Sequence, residues 1–450
     1  MAGRTSTWIH SLPQRYGGRT LALLGLIAVL GLGLRAYRVV EPLATPSPDA
    51  HAYYALSKSL YEEGSFGGPT FHDSSDWSPG APLLYAAAFY ATAGPREGTA
   101  RIVEALLGVA AIVVVFLLGR RLGGSTVGLL AAFATAVYPP FIHSTGELMS
   151  EPPAFFTLPA AVLAFLWASE RECLRDWLLP GFLLGLTALI RPEYLLVGIA
   201  FAALAAIRVV AQRGWRAALG ATAVLAAAFL LPIVPWSVRN EVVLGRLVPI
   251  STGDGKALYV GTYLPADGEY QKVKALLARR YLHRDLGPFS PALERVDPTP
   301  LFNRVANRYP ELPRDTALGK IAKQDFSHYF GEDPIGYLAM TARKAARIWS
   351  SGVGEAMDSP AGRACQILLV LLGLAGLGLL ALRRRWWELS VLVTPIVLVT
   401  AVGAISLAAP RRNEILMTLV FPLAAAALSG GASALLSSGS WPRRASSPQN

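Results

Sequence analysis

The chain has 450 residues, 53% of them hydrophobic and only 16% charged, which is more apolar surface than one water-soluble core of this length can hide and excludes an ordinary soluble protein. The formal net charge of +11 does not indicate nucleic acid, because the arginines gather in short clusters beside apolar runs, where they carry topology. Two cysteines, Cys173 and Cys365, cannot build a disulfide framework, and the apolar runs lack the alternation of a membrane β-barrel.

In chain order, Arg4, Arg15 and Arg19 precede an apolar run from Leu21 that reads as an uncleaved anchor. Runs of span length recur at roughly 20–39, 101–119, 125–142, 152–168, 177–190, 193–209, 216–235, 364–382, 387–407 and 414–432, about ten in all. With that register Arg19, Arg120 and Arg121, Arg171 and Arg175, Arg208, Arg213 and Arg216, Arg383 to Arg385, and Arg443 with Arg444 fall on one side, the cytoplasmic one. The expected organisation is a cytoplasmic N-terminus (1–19), a transmembrane module (20–235) carrying a first outer loop (41–98), an extracytoplasmic loop domain (236–362), C-terminal transmembrane helices (363–432) and a disordered cytoplasmic tail (433–450). The fold class is all-α: a polytopic bundle with interfacial helices in the first outer loop and a small helical outer domain between spans seven and eight.

The first outer loop opens on Asp49-Ala-His51-Ala-Tyr53-Tyr54, a short helix ending at Gly64. Asp49 fits an N-cap; if it acts, it would take a proton from an acceptor hydroxyl or hold a divalent ion against a phosphate. Leu83 to Ala93 is apolar but too short to cross, and Pro79, Pro82 and Gly94 bound it, which predicts a helix lying at the interface. Glu147 and Glu151 stand four residues apart in a tight loop. Glu151 complements the dipole of the span beginning at Pro152, whereas Glu147 has no such role and points to a water-filled cavity. Arg191-Pro192-Glu193 breaks two spans and reads as a local pair. Within the next long segment, helices are expected at Tyr270 to Tyr281, Thr316 to Phe330 and Pro334 to Trp349; the last sets Arg343, Lys344 and Arg347 against apolar residues, a pattern suited to anionic headgroups. Arg411-Arg412-Asn413-Glu414 is either a local Arg–Glu414 pair or a phosphate clamp, and the forked guanidinium favours the clamp. Arg239 fits either role. No metal signature, Walker loop or dinucleotide fingerprint occurs, so nucleotide-fuelled chemistry is disfavoured.

These stretches resemble the membrane-integral GT-C glycosyltransferases, especially the protein mannosyltransferase and aminoarabinose transferase branch. The matching pieces are Asp49 through Gly64, Trp77-Ser-Pro-Gly-Ala-Pro-Leu-Leu-Tyr85, Gly119-Arg-Arg-Leu-Gly-Gly124, Pro235-Trp-Ser-Val-Arg-Asn240, Ser251-Thr-Gly-Asp-Gly255 and Arg411-Arg412. The resemblance implies a GT-C-type fold and a catalytic Asp at Asp49, with a second acidic position at Glu147 or Glu151. It also implies a polyprenyl-phosphate sugar donor and transfer with inversion at the anomeric carbon. Arg411, Arg412 and Arg239 are then candidates for the donor phosphate, and His51, Tyr53, Trp77, Arg191 and Glu193 for lining the substrates. Asp-Ala-His stands where some members carry an Asp-Glu pair, which leaves the acceptor (glycan, lipid or protein) and any divalent cation open. The expected partners are the lipid-linked donor, the acceptor and membrane lipids, with no nucleic acid; the expected place is a bacterial inner membrane, with the site facing outside. A transporter or lipid flippase, a non-catalytic envelope assembly subunit and an O-antigen polymerase or ligase are the competing readings. Clean spans and an early outer-loop Asp argue against the first and last of these.

Overall fold

The computed structural model describes residues 17–43, 47–67 and 74–438, so Arg4, Arg15, Arg443, Arg444 and the Ser-rich tail from 439 onward lie outside the described residues. Among the described residues all regular structure is helical, and eight helices are long and apolar enough to cross a membrane. The chain is thus a multi-pass membrane protein.

Helix α1 (Gly18–Val40) leaves Leu23, Leu26, Val29 and Leu30 exposed, as a helix bordered by lipid does. Two short helices follow on one face of the bundle, α2 (Pro48–Glu63) and α3 (Gly80–Ala91). As expected, α3 is too short to cross; it packs on α2 and on α4 (Glu97–Gly123). Gly124, at φ 87°, makes the turn into α5 (Ser125–Val137). The expected span 125–142 breaks there into two pieces, because Tyr138 precedes Pro139 and is pushed into extended backbone; α6 (Pro139–Ser144) then resumes. After α7 (Glu151–Ala168), helix α8 (Leu178–Ile190) has 13 residues, about 20 Å against the roughly 30 Å of hydrocarbon. The two expected spans at 125–142 and 177–190 are therefore short helices packed among longer neighbours.

Helix α9 (Tyr194–Arg213) is followed by α10 (Trp215–Leu244), which outruns the expected end at Pro235. It continues because side chains past the proline are tied down: Trp236 Nε1 donates to the Ile250 carbonyl (3.0 Å), and Asn240 to those of Val248 and Ile250 (both 3.0 Å). A helical domain then packs Tyr259, Val273, Leu277, Phe302, Leu318 and Ile321 into its own core. It comprises α11 (Asp254–Thr262), α12 (Tyr270–Leu282), α13 (Thr299–Ala306), α14 (Arg314–Glu332) and α15 (Pro334–Trp349). The basic face expected of α15 is engaged within the protein at Lys344 and Arg347, while Arg343 keeps 57% of its side chain exposed. Lys344 is fully buried and donates to the carbonyls of Gly261 (2.7 Å) and Ile405 (3.3 Å), while Arg343 and Arg347 both pair with Asp267. Those two carbonyls belong to final helical turns that lack partners of their own, so the ammonium ties this domain to the bundle.

The chain ends its described part with α16 (Pro360–Leu382), α17 (Trp386–Ile405) and α18 (Arg411–Ser438). Helices α7 and α18 form the centre of the bundle, where Phe141 stacks on Phe155 with ring centroids 4.0 Å apart and Tyr138 meets Phe421 edge-on at 5.2 Å. Their N-termini, with those of α2 and α9, open on one face. Cys173 and Cys365 are both free.

Candidate active site

Asp49 does not cap α2. Ser47 does, its hydroxyl accepting from Ala50 N at 3.3 Å, and Asp49 falls in the first turn with its carboxylate free to project. That carboxylate accepts from Arg411, at the first position of α18. Arg411 Nε lies 4.0 Å from Glu151 Oε1, and the same oxygen is 3.2 Å from Arg191 Nη1. Arg191 Nε continues to Glu193 at 3.4 Å, and Glu193 meets Arg412 at 3.5 Å. Four chain segments thereby build one row of alternating charge, Asp49, Arg411, Glu151, Arg191, Glu193 and Arg412. A local Arg–Glu414 pair is overturned: Glu414 is buried and accepts from Ser144 at 3.2 Å. The Arg191–Glu193 pair is present, but as one link of the row.

Four helices begin at or beside this row, and the positive ends of their dipoles favour an anion there. The fields inside the row are strong. Burial opposes the charge on Arg191, but Glu151 and Glu193 outweigh it and raise its pKa above the usual arginine value; burial likewise opposes Glu193, and Arg191 with Arg412 hold its pKa below the carboxylate norm. Tyr53 packs edge-on against Trp77, centroids 5.2 Å apart, and burial followed by Glu151 pushes its hydroxyl up to about 12. The helical domain reaches over the row. Tyr270, at the start of α12, is raised to about 12 by burial and next by Asp49, and Asp254 on α11 is raised by burial and Glu193 against the pull of Arg412.

Glu147 lies beside the row, 3.9 Å from His143 Nε2, and borders a small recess with His51, Tyr54, Glu97 and Arg101. Burial and then Glu151 raise its pKa above the usual range. Arg239 stands apart from the row: it donates to Asn240 Oδ1 (3.1 Å) and the Phe66 carbonyl (3.2 Å) and lies over the Trp236 ring at 5.0 Å. Among the described residues no three His, Cys, Asp or Glu side chains converge as metal ligands. The carboxylates of the row face guanidiniums instead, a donor set that does not fit a divalent cation.

Sequence reasoning missed the support of the 145–150 loop. Tyr85 Oη lies 2.5 Å from Glu104 Oε1 and 2.6 Å from the Met149 carbonyl, and Met149 N donates to Glu104 at 3.2 Å. These contacts hold the residue that follows Leu148, whose φ of 50° is left-handed. A carboxylate inside a span was the signal, since such groups are costly unless they have a structural or functional partner.

Residues 77–238 match the dolichyl-phosphate-mannose-protein mannosyltransferase family. That stretch carries Glu147, Glu151, Arg191 and Glu193 but neither Asp49 nor the two arginines of α18. Among solved structures, the oligosaccharyltransferase AglB of Archaeoglobus fulgidus, in complex with an inhibitory peptide and a dolichol-phosphate, is 15% identical with a TM-score of 0.57, over 97% of this chain and 53% of that one. The same enzyme in its apo form is 17% identical with a TM-score of 0.56, over 95% and 53%. ArnT of Cupriavidus metallidurans bound to undecaprenyl phosphate is 16% identical over 95% of this chain and 79% of that one, at a TM-score of 0.37. The chain spans about half the length of the oligosaccharyltransferase it matches. No curated protein matches the sequence. The chain has the fold of that membrane oligosaccharyltransferase. Its middle third, residues 77–238, carries the protein mannosyltransferase pattern.

Proposed function

We propose that this protein is a glycosyltransferase that moves a sugar from a polyprenyl-phosphate donor to an acceptor hydroxyl at the extracytoplasmic face, with inversion. The observation that carries this reading is the pairing of Asp49 with Arg411 where four helix N-termini open. Asp49 takes the proton of the acceptor hydroxyl as its oxygen bonds to the anomeric carbon; the bond from that carbon to the phosphate oxygen breaks, and lipid monophosphate leaves. Arg411 and Arg412, with the helix dipoles, stabilise the charge that grows on the departing phosphate. Tyr53, Trp77, His51, Arg191 and Glu193 shape the walls around the reacting groups, and Glu147 steadies the acceptor side. An apolar groove of about 480 Å³, lined by Trp349, Leu374, Ile396, Val397, Ala404 and Leu423, fits a prenyl chain. Its upper end comes close to Arg412, since a Cβ on Gly403, next to Ala404, would meet the Arg412 side chain at 3.1 Å.

Transfer of radiolabelled sugar from polyprenyl-phosphate donors by the purified protein in lipid tests this reading. Loss of a general base lowers rates by about 10²–10⁴-fold, and that loss is expected for Asp49→Asn with thermal stability kept, against a smaller one for Glu147→Gln. Full activity in Asp49→Asn, or no transfer by the wild type across a broad donor panel, would overturn it.

A further inference from the structure

Arg411 stands between two carboxylates: it holds Asp49 on one side and faces Glu151 on the other. A guanidinium grips a phosphate bidentately along one of two edges, Nη1 with Nη2 or Nε with Nη2. Asp49 holds Nη1 of the first edge, and Glu151 stands 4.0 Å from Nε of the second. A phosphate that grips either edge bidentately therefore competes with one of the two carboxylates.

The two are not equally held. The Glu151 side chain is 2% exposed, also pairs with Arg191 at 3.2 Å and accepts from Ser150 Oγ at 3.2 Å. Asp49 is 31% exposed and, among the described residues, its only ion-pair partner is Arg411, itself 37% exposed. Asp49 is the carboxylate that yields. The pairing along the row points the same way: three carboxylates face three guanidiniums, so a phosphate that takes Arg411 does so in place of a carboxylate already paired with it.

Resting on the donor reading above, we infer that the donor phosphate and Asp49 compete for Arg411, so that donor binding releases Asp49 to act on the acceptor. The base is thereby unmasked only beside a bound donor, and the order of binding is donor first, acceptor second. One ion pair couples two substrate sites, and the coupling is reciprocal, as any linkage between binding equilibria must be.

Equilibrium binding of polyprenyl monophosphate to the full-length protein in lipid micelles tests this directly. Asp49→Asn is expected to bind the lipid phosphate more tightly than wild type, by about tenfold. In an Arg411→Gln background binding is weaker, and adding Asp49→Asn brings no gain. Asp49→Ser repeats the measurement if the asparagine variant is unstable. Equal or weaker binding by Asp49→Asn, or a gain that persists without Arg411, overturns the competition while leaving the donor reading intact. Absence of binding in wild type and Asp49→Asn alike overturns both.

Discussion

Arg35 and Arg191 are both buried guanidiniums, 1% and 8% exposed, yet their surroundings differ in kind. Among the described residues Arg35, on α1, is met by backbone carbonyls alone: its Nη1 donates to Gly31 (3.1 Å) and Ala136 (3.2 Å) and its Nη2 to Thr135 (3.2 Å). The last two carbonyls end α5, where Pro139 and Pro140 remove the donors that would have continued the helix. Gly108 makes room for it, since a Cβ there would lie 2.3 Å from Arg35 Nε. Arg191, Arg411 and Arg412 instead alternate with carboxylates. A guanidinium bound to fixed carbonyls has one arrangement and serves structure. One bound to carboxylates can trade an anionic side chain for an anionic ligand, the exchange proposed above for Arg411.

The largest effect that would break this contrast lies at Arg411. Removing a single preorganised donor to a developing oxyanion costs about 10²–10³-fold, and Arg411→Gln should lose that much sugar transfer while melting near wild type; normal transfer would place the phosphate elsewhere. Arg35→Leu should do the reverse. It strips partners from buried carbonyls and should destabilise by about 3 kcal/mol, read as a lower denaturation midpoint, with activity per folded molecule unchanged. The smallest effect concerns Asp315, an acid whose company is mostly acidic: burial, then Asp254 and Asp76, lift its pKa to about 6 against the Gly255 N–H and Arg246. Between about pH 4 and 6 the folded protein keeps a proton that the unfolded chain has released, so stability falls as pH rises through 6. Asp315→Asn retains an acceptor for Gly255, should flatten that slope and should gain about 1 kcal/mol at pH 8 after discounting for solvent screening. Parallel stability–pH curves for the two proteins would show that Asp315 does not carry the slope.

Much of the fold was legible because crossing a membrane demands length and apolarity, both local properties. Helix α15 was read at its observed ends from Pro334 and Trp349, and α16, α17 and α18 within a few residues. The misread elements have local causes too: Pro139 splits one run, and tertiary hydrogen bonds from Trp236 and Asn240 carry α10 past Pro235. Within the site, residue types were legible and partnerships were not. Asp49 was given a cap that Ser47 provides, Arg412 and Arg411 were offered Glu414 when Glu193, Glu151 and Asp49 were the true neighbours, and the basic face of α15 is spent on Asp267 and two helix ends.

The sequence by itself determined the solvent this protein requires, the positions of its long helices and the set of charged residues left between them, because each follows from hydrophobicity, helix length and proline within a short window. Only the tertiary structure decided which charges meet. Asp49 and Arg411 are separated by 362 residues along the chain, and no local property could match them. Packing α7 and α18 through the centre of the bundle brings their N-termini to one face, and that convergence turns scattered loop residues into one row of alternating charge.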